Sequence, residues 1–127
     1  MSAQGKRVLV IGGETAVGRA LAVGLAEAGA DVAIASLSSD TKAEFAINSA
    51  LNELWALGRR GLALAIDASK AEDVRDAVSR AEAELGAVDV AVVVGTVATE
   101  ALEGRRVIVI AVDADAGDGL AAVIELC

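Results

Sequence analysis

The sequence predicts an α/β fold, a three-layer doubly wound sandwich with a mainly parallel sheet of about five strands. Short apolar runs alternate with amphipathic segments from one end of the 127 residues to the other. The apolar runs are nearly continuous in hydrophobicity, as in strands buried on both faces. Hydrophobic residues make up 55% of the chain but aromatics only 2%, which suits helices packed closely on a sheet. We expect residues 1–127 to form one domain.

The spacing of the apolar residues predicts where the strands and helices lie. Five runs rich in Val, Ile and Ala are strands, namely Arg7–Gly12, Asp31–Ala35, Leu62–Asp67, Val88–Gly95 and Arg106–Val112. The segments between them have helical periodicity and lie at about Val17–Ala28, Thr41–Leu57, Ser69–Leu85 and Gly117–Leu126. A strand–helix order repeated in this way predicts a parallel sheet with right-handed crossovers and helices on both faces.

Polar and glycine residues mark the predicted helix ends. Thr41 with Glu44, and Ser69 with Glu72, have the S/T-x-x-E spacing of a capping box at a helix start. A glycine follows each of the first three helices, at Gly29, Gly58 and Gly86, where a left-handed residue ends a helix.

The last connection is short. Only nine residues lie between Gly95 and Arg105, whereas a parallel crossover normally needs about a dozen or more. Either a helix has shrunk to a turn around 99–103, or the last strand runs antiparallel at the sheet edge. Both alternatives stay open at this point.

The first strand leads into a glycine-rich turn, Gly12-Gly13-Glu14-Thr15-Ala16-Val17-Gly18. A glycine at the end of a strand permits a tight turn and lets backbone N–H groups approach a pyrophosphate. The N-terminus of the next helix adds a partial positive charge. Gly18 allows that helix to pack closely on the strand. The sequence therefore predicts a dinucleotide-binding turn in a Rossmann-like sandwich.

This turn resembles the T-G-x-x-x-G-x-G motif of the short-chain dehydrogenase/reductase family. Similar segments continue through about the first 95 residues, at Gly29–Ser36, Gly61–Ser69, Asp73-Val74 and Leu85–Val90. The chain is identified as a truncated or degenerate member of the family. It departs from the motif at Ala16, which replaces the middle glycine. It departs again at Glu14, a carboxylate within reach of a bound phosphate unless it turns to solvent.

The resemblance implies which residues contact NADP or NAD, the family's cofactors. The implied cofactor-binding residues are Gly12, Thr15, Val17, Gly18, Ser36, Leu37, Asp67, Ala68 and Gly95. NADP is slightly favoured, because no acid stands at Ser36 to hold the ribose hydroxyls of NAD. Lys42 either receives the 2′-phosphate or is a solvated lysine at a helix start. Asp67 either accepts from the adenine amino group or helps the turn into Ser69.

The catalytic residues of the family have no counterpart, so no catalytic residue is predicted. Val93-Val94-Gly95-Thr96 stands in place of N-N-A-G. The last strand, Arg106–Val112, aligns equally with the family's fifth or sixth strand, and as the fifth it has Ala111-Val112 where the catalytic Ser is expected. The Y-x-x-x-K motif is absent, and the chain has no Tyr and no His. An alkoxide formed by hydride transfer needs a proton donor within hydrogen-bond reach. We expect an inactive protein that binds NAD(P). Its alternatives are an oxidoreductase completed by another chain and a structural fragment without a ligand.

Charge and composition exclude other partners. The net charge of −8 repels nucleic acid and anionic lipid. No apolar stretch approaches the ~20 residues that span a bilayer, and no secretory signal is recognised. Asp113–Gly119 fails as a calcium loop, because the twelfth position is Ile124, so no metal is expected. The lone Cys127 excludes an internal disulfide and agrees with a cytoplasmic location.

The second helix is unusually apolar, which bears on self-association. Phe45 and Trp55 lie among Ala, Ile and Leu residues that cover more than one side of it, so we expect burial on more than one side. Trp55 is either part of the core or an anchor in a subunit interface. An exposed sheet edge also favours self-association. The sequence therefore predicts a homodimer.

Overall fold

The computed structural model describes residues 2–127, which fold around one parallel sheet. The strands are β1 (Arg7–Ile11), β2 (Asp31–Ala35), β3 (Gly61–Leu64), β4 (Val90–Val94) and β5 (Val107–Ile110). The helices are α1 (Ala16–Glu27), α2 (Thr41–Ala56), α3 (Ala71–Leu85) and α4 (Ala116–Leu126). The strand order is β3-β2-β1-β4-β5, and every pairing is parallel. The predicted α/β sandwich is confirmed.

Side chains on alternate strand positions separate the core into two layers. On β1, Val8 and Val10 pack against α1, α2 and α4, whereas Leu9 and Ile11 pack against α3. All four side chains are at most 1% exposed. Burial on both faces explains why the central strands are continuously apolar in sequence.

The short connection before β5 contains one turn of 3₁₀ helix. It spans Thr99–Leu102, and Leu102 is buried against the α3 layer. β5 runs parallel to β4, with Ala91 paired to Val107. The first of the two alternatives for this connection is therefore confirmed: the crossover helix has shrunk to a turn.

Two predicted helix caps are wrong. The cap of α2 is Asp40, whose carboxylate accepts from the Ala43 amide at 2.8 Å, and not Thr41. At α3 the cap position is Lys70, which makes no side-chain capping bond. The predicted capping residue Ser69 instead donates to Asp67. Asp40 thus caps α2 in place of Thr41, whereas Asp67 engages the Ser69 hydroxyl and leaves α3 without a side-chain cap.

The glycines predicted to end helices have the expected left-handed backbone. Gly29, Gly58 and Gly86 have φ values of +102°, +76° and +101°.

The end of β3 differs from the prediction, since the strand stops at Leu64 rather than at Asp67. The following residues leave the ladder because the buried Ser36 hydroxyl, and not a strand, accepts from the Ile66 amide at 3.0 Å.

Within one copy of the chain one face of α2 is exposed, so the expected burial of this helix on more than one side is not met inside the fold. Phe45 is 77% exposed and Trp55 58% exposed, while Ile47 and Leu54 are fully buried. Trp55 is therefore not a core residue. Within residues 2–127, no helix has the length and apolar character required to cross a membrane.

Candidate functional site

The candidate site lies at the carboxyl edge of the sheet, where the chain leaves β1 and β4 in opposite directions. β1 is the central strand and pairs with β2 on one side and β4 on the other. The crossover from β1 leads to β2, and that from β4 leads away to β5. A crevice opens at such a reversal of strand order, and open α/β sheets bind ligands there.

The backbone at Gly12 forms the floor of this crevice. Its φ is +101°, a region that residues with a side chain rarely occupy. A Cβ atom at this position would overlap the carbonyl oxygen of Val94 on the neighbouring strand. The Gly12 amide donates to the Ala35 carbonyl at 2.8 Å and so holds the turn against β2. Glycine is therefore required here, as the sequence predicted.

Thr15 connects the turn to α1. Its hydroxyl donates to the Gly12 carbonyl at 2.7 Å and accepts from the Gly18 amide at 3.0 Å. The single hydroxyl proton is thus used within the turn, so Thr15 Oγ1 shapes the loop and has no proton left for a phosphate. A Cβ atom at Gly18 would overlap the Gly12 carbonyl oxygen, which explains the close approach of helix and strand.

The first turn of α1 presents a positive end toward the crevice. Ala16 and Val17 open the helix, and no acidic side chain lies in this turn. The amides of a first helical turn have no partner within the helix and favour an anion. The side chain of Val17 is buried in the core, so only its backbone is available. The Ala16 side chain is exposed at the start of α1.

The residues after β2 line the side of the crevice. Ser36 is fully buried, and its hydroxyl donates to the Ile66 carbonyl while accepting from the Ile66 amide. This hydroxyl therefore joins two loops and does not open into the crevice. The Leu37 side chain covers Gly95, where a Cβ atom would lie 2.7 Å from Leu37 Cδ1. Glycine at 95 thus leaves space that Leu37 partly fills.

Asp67 and Ala68 form the adjoining wall. Asp67 Oδ1 accepts from the Ser69 amide at 3.0 Å and from its hydroxyl at 2.6 Å. These two bonds lower the pKa of the Asp67 carboxyl below its ordinary value, so the group is a stable acceptor. Ala68 donates from its amide to Leu37 and accepts at its carbonyl from Ala98. The Asp67 contact predicted to support the turn is present, and its second oxygen makes no recorded bond within residues 2–127.

Glu14 is the site residue whose role the sequence did not predict. Its half-buried side chain bonds to the loop after β2. It accepts from the Leu37 amide at 2.9 Å and from the Ser38 amide at 3.2 Å. Two features of the sequence, taken together, could have indicated this role: there is an acid in the glycine turn, and there is none directly after β2.

A small cavity adjoins the Glu14 carboxylate. Its volume is about 180 Å³, and it is lined by Glu14, Ser38, Asp40, Lys42, Ala43 and Ala46. The Ala43 amide and then the Ser38 hydroxyl donate to Asp40 and lower the pKa of its carboxyl. The cavity therefore contains two carboxylates and one ammonium group.

Two larger openings lie at the opposite edge of the sheet. Their volumes are about 490 Å³ and 430 Å³, and they are lined by segments that precede strands, including 26–29 and 104–106. Neither includes a residue of the glycine turn. The size of an opening is therefore a weaker guide to the site here than its position at the carboxyl edge.

Among residues 2–127 no group of three His, Cys, Asp or Glu side chains is arranged to hold a metal ion.

A parallel sheet with a glycine turn at the reversal of strand order defines a nucleotide-binding fold of the Rossmann type. Comparison with known families agrees, since a statistical description of the short chain dehydrogenases matches residues 6–106. The chain belongs to the short-chain dehydrogenase family.

Individual relatives are similar over 70–72% of the chain. L-rhamnose 1-dehydrogenase (NAD(P)(+)) of a Sphingomonas species is 43% identical over 89 residues, which cover 70% of this chain and 34% of that protein. The 2-dehydro-3-deoxy-D-gluconate 5-dehydrogenase of Escherichia coli is 34% identical, over 72% of this chain and 33% of that protein. The chain thus spans about a third of the length of the curated relatives it matches.

Solved structures resemble the fold to the same extent. A short-chain type dehydrogenase/reductase from Mycobacterium marinum superposes with a TM-score of 0.66 at 30% identity, over 76% of this chain and 37% of its own. A blue fluorescent protein from a metagenomic library, crystallised with NADPH, superposes with a TM-score of 0.67 at 35% identity, over 72% and 36%.

Proposed function

We propose that residues 1–127 form one dinucleotide-binding unit that takes NAD(P) in the crevice at the carboxyl edge of β1, β2 and β4. The pyrophosphate lies on the backbone of Gly12–Gly18, at the positive end of α1. The adenine lies between Leu37, Asp67-Ala68 and Gly95, with the free Asp67 oxygen accepting from its amino group. The observation that carries the proposal is the close packing of the Gly12 backbone on Val94. The turn that follows Gly12 leads into α1, which begins beside the crevice.

Two relatives support this choice of ligand. One similar enzyme is named for NAD(P)(+), and one similar structure was solved in complex with NADPH. The family match over residues 6–106 includes the glycine turn and the ends of β2 and β4.

The unit binds its cofactor without catalysing hydride transfer on its own. No Tyr or His occurs in the 127 residues, and the only lysines are Lys6, Lys42 and Lys70. Lys6 precedes β1 at the amino edge, and Lys42 and Lys70 lie at the starts of α2 and α3, on the side of the crevice that the proposal gives to the adenosine. A carbonyl reduced here would have only carboxyl groups as proton donors. Consumption of NADH or NADPH with a carbonyl substrate by the purified chain alone would contradict this part of the proposal.

Titration with NADH and NADPH tests binding, and Ala16→Gly sharpens the test. We expect the unmodified chain to bind at least one of the two dinucleotides with micromolar affinity. We expect several-fold tighter binding by Ala16→Gly, because removal of the methyl lets a phosphate approach the first amides of α1. Fluorescence and calorimetry measure both affinities.

Ala20→Gly is the matched control for this titration. Ala20 is exposed on α1 one turn further along, so its replacement weakens the helix by a similar amount without touching the turn. Its affinity should equal that of the unmodified chain. Absence of binding at millimolar dinucleotide in all three proteins would contradict the proposal.

We also infer that the chain forms a homodimer through α2. Phe45 and Trp55 are the chain's two aromatic residues, and both are exposed on this helix. With Asn48 and Asn52 they follow i, i+3, i+7, i+10 spacing, the pattern of a helix face that packs on another helix. In an antiparallel pair of α2 helices, Phe45 of one copy lies near Trp55 of the other.

Replacement of Trp55 should abolish the dimer. Trp55→Ser removes the larger anchor, and we expect the apparent mass in sedimentation to fall from two chains to one at about 50 μM. Val112→Ser is the control, since Val112 is 54% exposed after β5, on a different surface. A monomeric unmodified chain at this concentration, or dissociation by Val112→Ser alone, would contradict the assignment of α2.

The cytoplasmic location expected from the sequence stays a prediction, which the distribution of the tagged protein in cells would check.

A further inference from the structure

We propose that Glu14 selects a dinucleotide whose adenosine ribose has a free 2′-hydroxyl, so that the site takes NAD(H) and rejects NADP(H). The inference rests on the proposed function, because it concerns the adenosine end of the same crevice. It replaces the slight preference for NADP that the sequence after β2 predicted.

The first observation is the position of the Glu14 carboxylate. It spans from the glycine turn to the end of β2 and accepts from the Leu37 and Ser38 amides. In dinucleotide-binding folds an acidic side chain at the end of the second strand holds the ribose hydroxyls. Here that strand is followed by Ser36 and Leu37, neither of which is acidic. Glu14 therefore brings from the first loop the carboxylate that the second strand lacks.

The second observation is the remaining bonding capacity of this carboxylate. Two carboxylate oxygens offer about four acceptor sites, and the two amides of Leu37 and Ser38 do not use all of them. The carboxylate also lines the cavity of about 180 Å³ beside α2. A ribose 2′-hydroxyl in this cavity has a proton to donate to Glu14. A 2′-phosphate at neutral pH has mainly acceptor oxygens, and the Leu37 and Ser38 amides are already engaged.

The third observation is the charge around the cavity. Glu14 and Asp40 contribute two carboxylates, and Lys42 contributes the single ammonium group. A phosphate monoester adds about 1.5 to 2 negative charges. Like charges brought close together at a partly buried site repel strongly. The Lys42 ammonium group balances only one of the two carboxylates, so the cavity has no excess positive charge to bind a 2′-phosphate.

The test measures the ratio of affinities for NADH and NADPH. For the unmodified chain we expect NADH to bind on the order of 100-fold more tightly. Glu14→Gln keeps the length of the side chain and removes its charge, so the ratio should fall at least about tenfold, mainly through tighter NADPH binding. 5′-AMP and adenosine 2′,5′-bisphosphate, which differ only in the 2′-phosphate, should show the same change in ratio.

Glu44→Gln is the matched control. Glu44 is exposed on the first turn of α2, outside the cavity lining, so its neutralisation changes net charge equally. Its ratio should stay within about twofold of the unmodified chain, because exposed charges are screened by salt. Should circular dichroism show that Glu14→Gln does not fold, Glu14→Ser gives the same readout.

The outcomes separate this inference from the proposed function. Equal affinity of the unmodified chain for NADH and NADPH would overturn the role of Glu14 and leave dinucleotide binding intact. A strong preference for NADH that persists in the Glu14 variants would also overturn it. Failure of the unmodified chain and of both Glu14 variants to bind any of the four probes would overturn the proposed function itself.

Discussion

Replacement of Gly12 by alanine should destabilise the fold by about 2–5 kcal/mol and abolish dinucleotide binding. The left-handed backbone at φ +101° costs a residue with a side chain about 1–2 kcal/mol. The added methyl also overlaps the Val94 carbonyl oxygen, and relief of such an overlap in a packed core costs about 1–3 kcal/mol. Val94 lies on β4, so any shift disturbs the β1–β4 ladder and displaces the start of α1.

Gly58→Ala is the matched control for Gly12→Ala. Gly58 also has a left-handed backbone, at φ +76°, but a Cβ atom there meets nothing within 4 Å. It should lose only the backbone cost of about 1–2 kcal/mol and bind NADH normally. Urea unfolding followed by circular dichroism measures both free energies. Equal stability of the two variants would contradict the close packing that defines the crevice.

Truncation of Leu21 to alanine should lower the free energy of unfolding by about 2–5 kcal/mol. Leu21 is fully buried on α1 and packs against α4, where a Cβ atom at Gly119 would lie 3.4 Å from Leu21 Cδ2. Removal of its side chain leaves a cavity between the two helices and loosens α1. Because the first turn of α1 holds the pyrophosphate in the proposal, NADH should also bind more weakly.

Leu57→Ala gives the comparison for Leu21→Ala. Leu57 is 45% exposed at the end of α2, so the same change in side chain should cost less than about 1 kcal/mol. It should leave the affinity for NADH unchanged. Thermal unfolding of the two variants beside the unmodified chain measures the difference. A loss at Leu57 as large as that at Leu21 would contradict the described core.

The sequence predicted the layers because burial dictates the residue pattern of a central strand. Both faces of β1 and β4 are covered, so their residues are almost all aliphatic. Gly12 and Gly18 were predictable because only glycine fits where strand and helix backbones approach closely. The short connection between β4 and β5 allowed two alternatives from its length alone. The structure has the first of them, a turn in which Leu102 is buried.

Features that depend on competing polar contacts were not predictable. Asp40 precedes Thr41, and both residue types cap helices, so side-chain reach decides between them. The sequence left Glu14 facing either a phosphate or solvent. Its carboxylate instead accepts from the Leu37 and Ser38 amides, which are 23 and 24 positions away in sequence. Trp55 has the apolar character of a core residue, but its place on α2 turns it outward. These outcomes depend on the tertiary arrangement, which a local pattern does not contain.

Amide chemical shifts during titration with NADH test the central claim most directly, because glycines mark both edges of the sheet. At the carboxyl edge, the amides of Gly12, Gly18 and Gly95 should shift as the dinucleotide saturates. At the amino edge, those of Gly29 and Gly86 should stay in place. Shifts confined to Gly29 and Gly86, or none anywhere at millimolar NADH, would contradict a dinucleotide site at the end of β1.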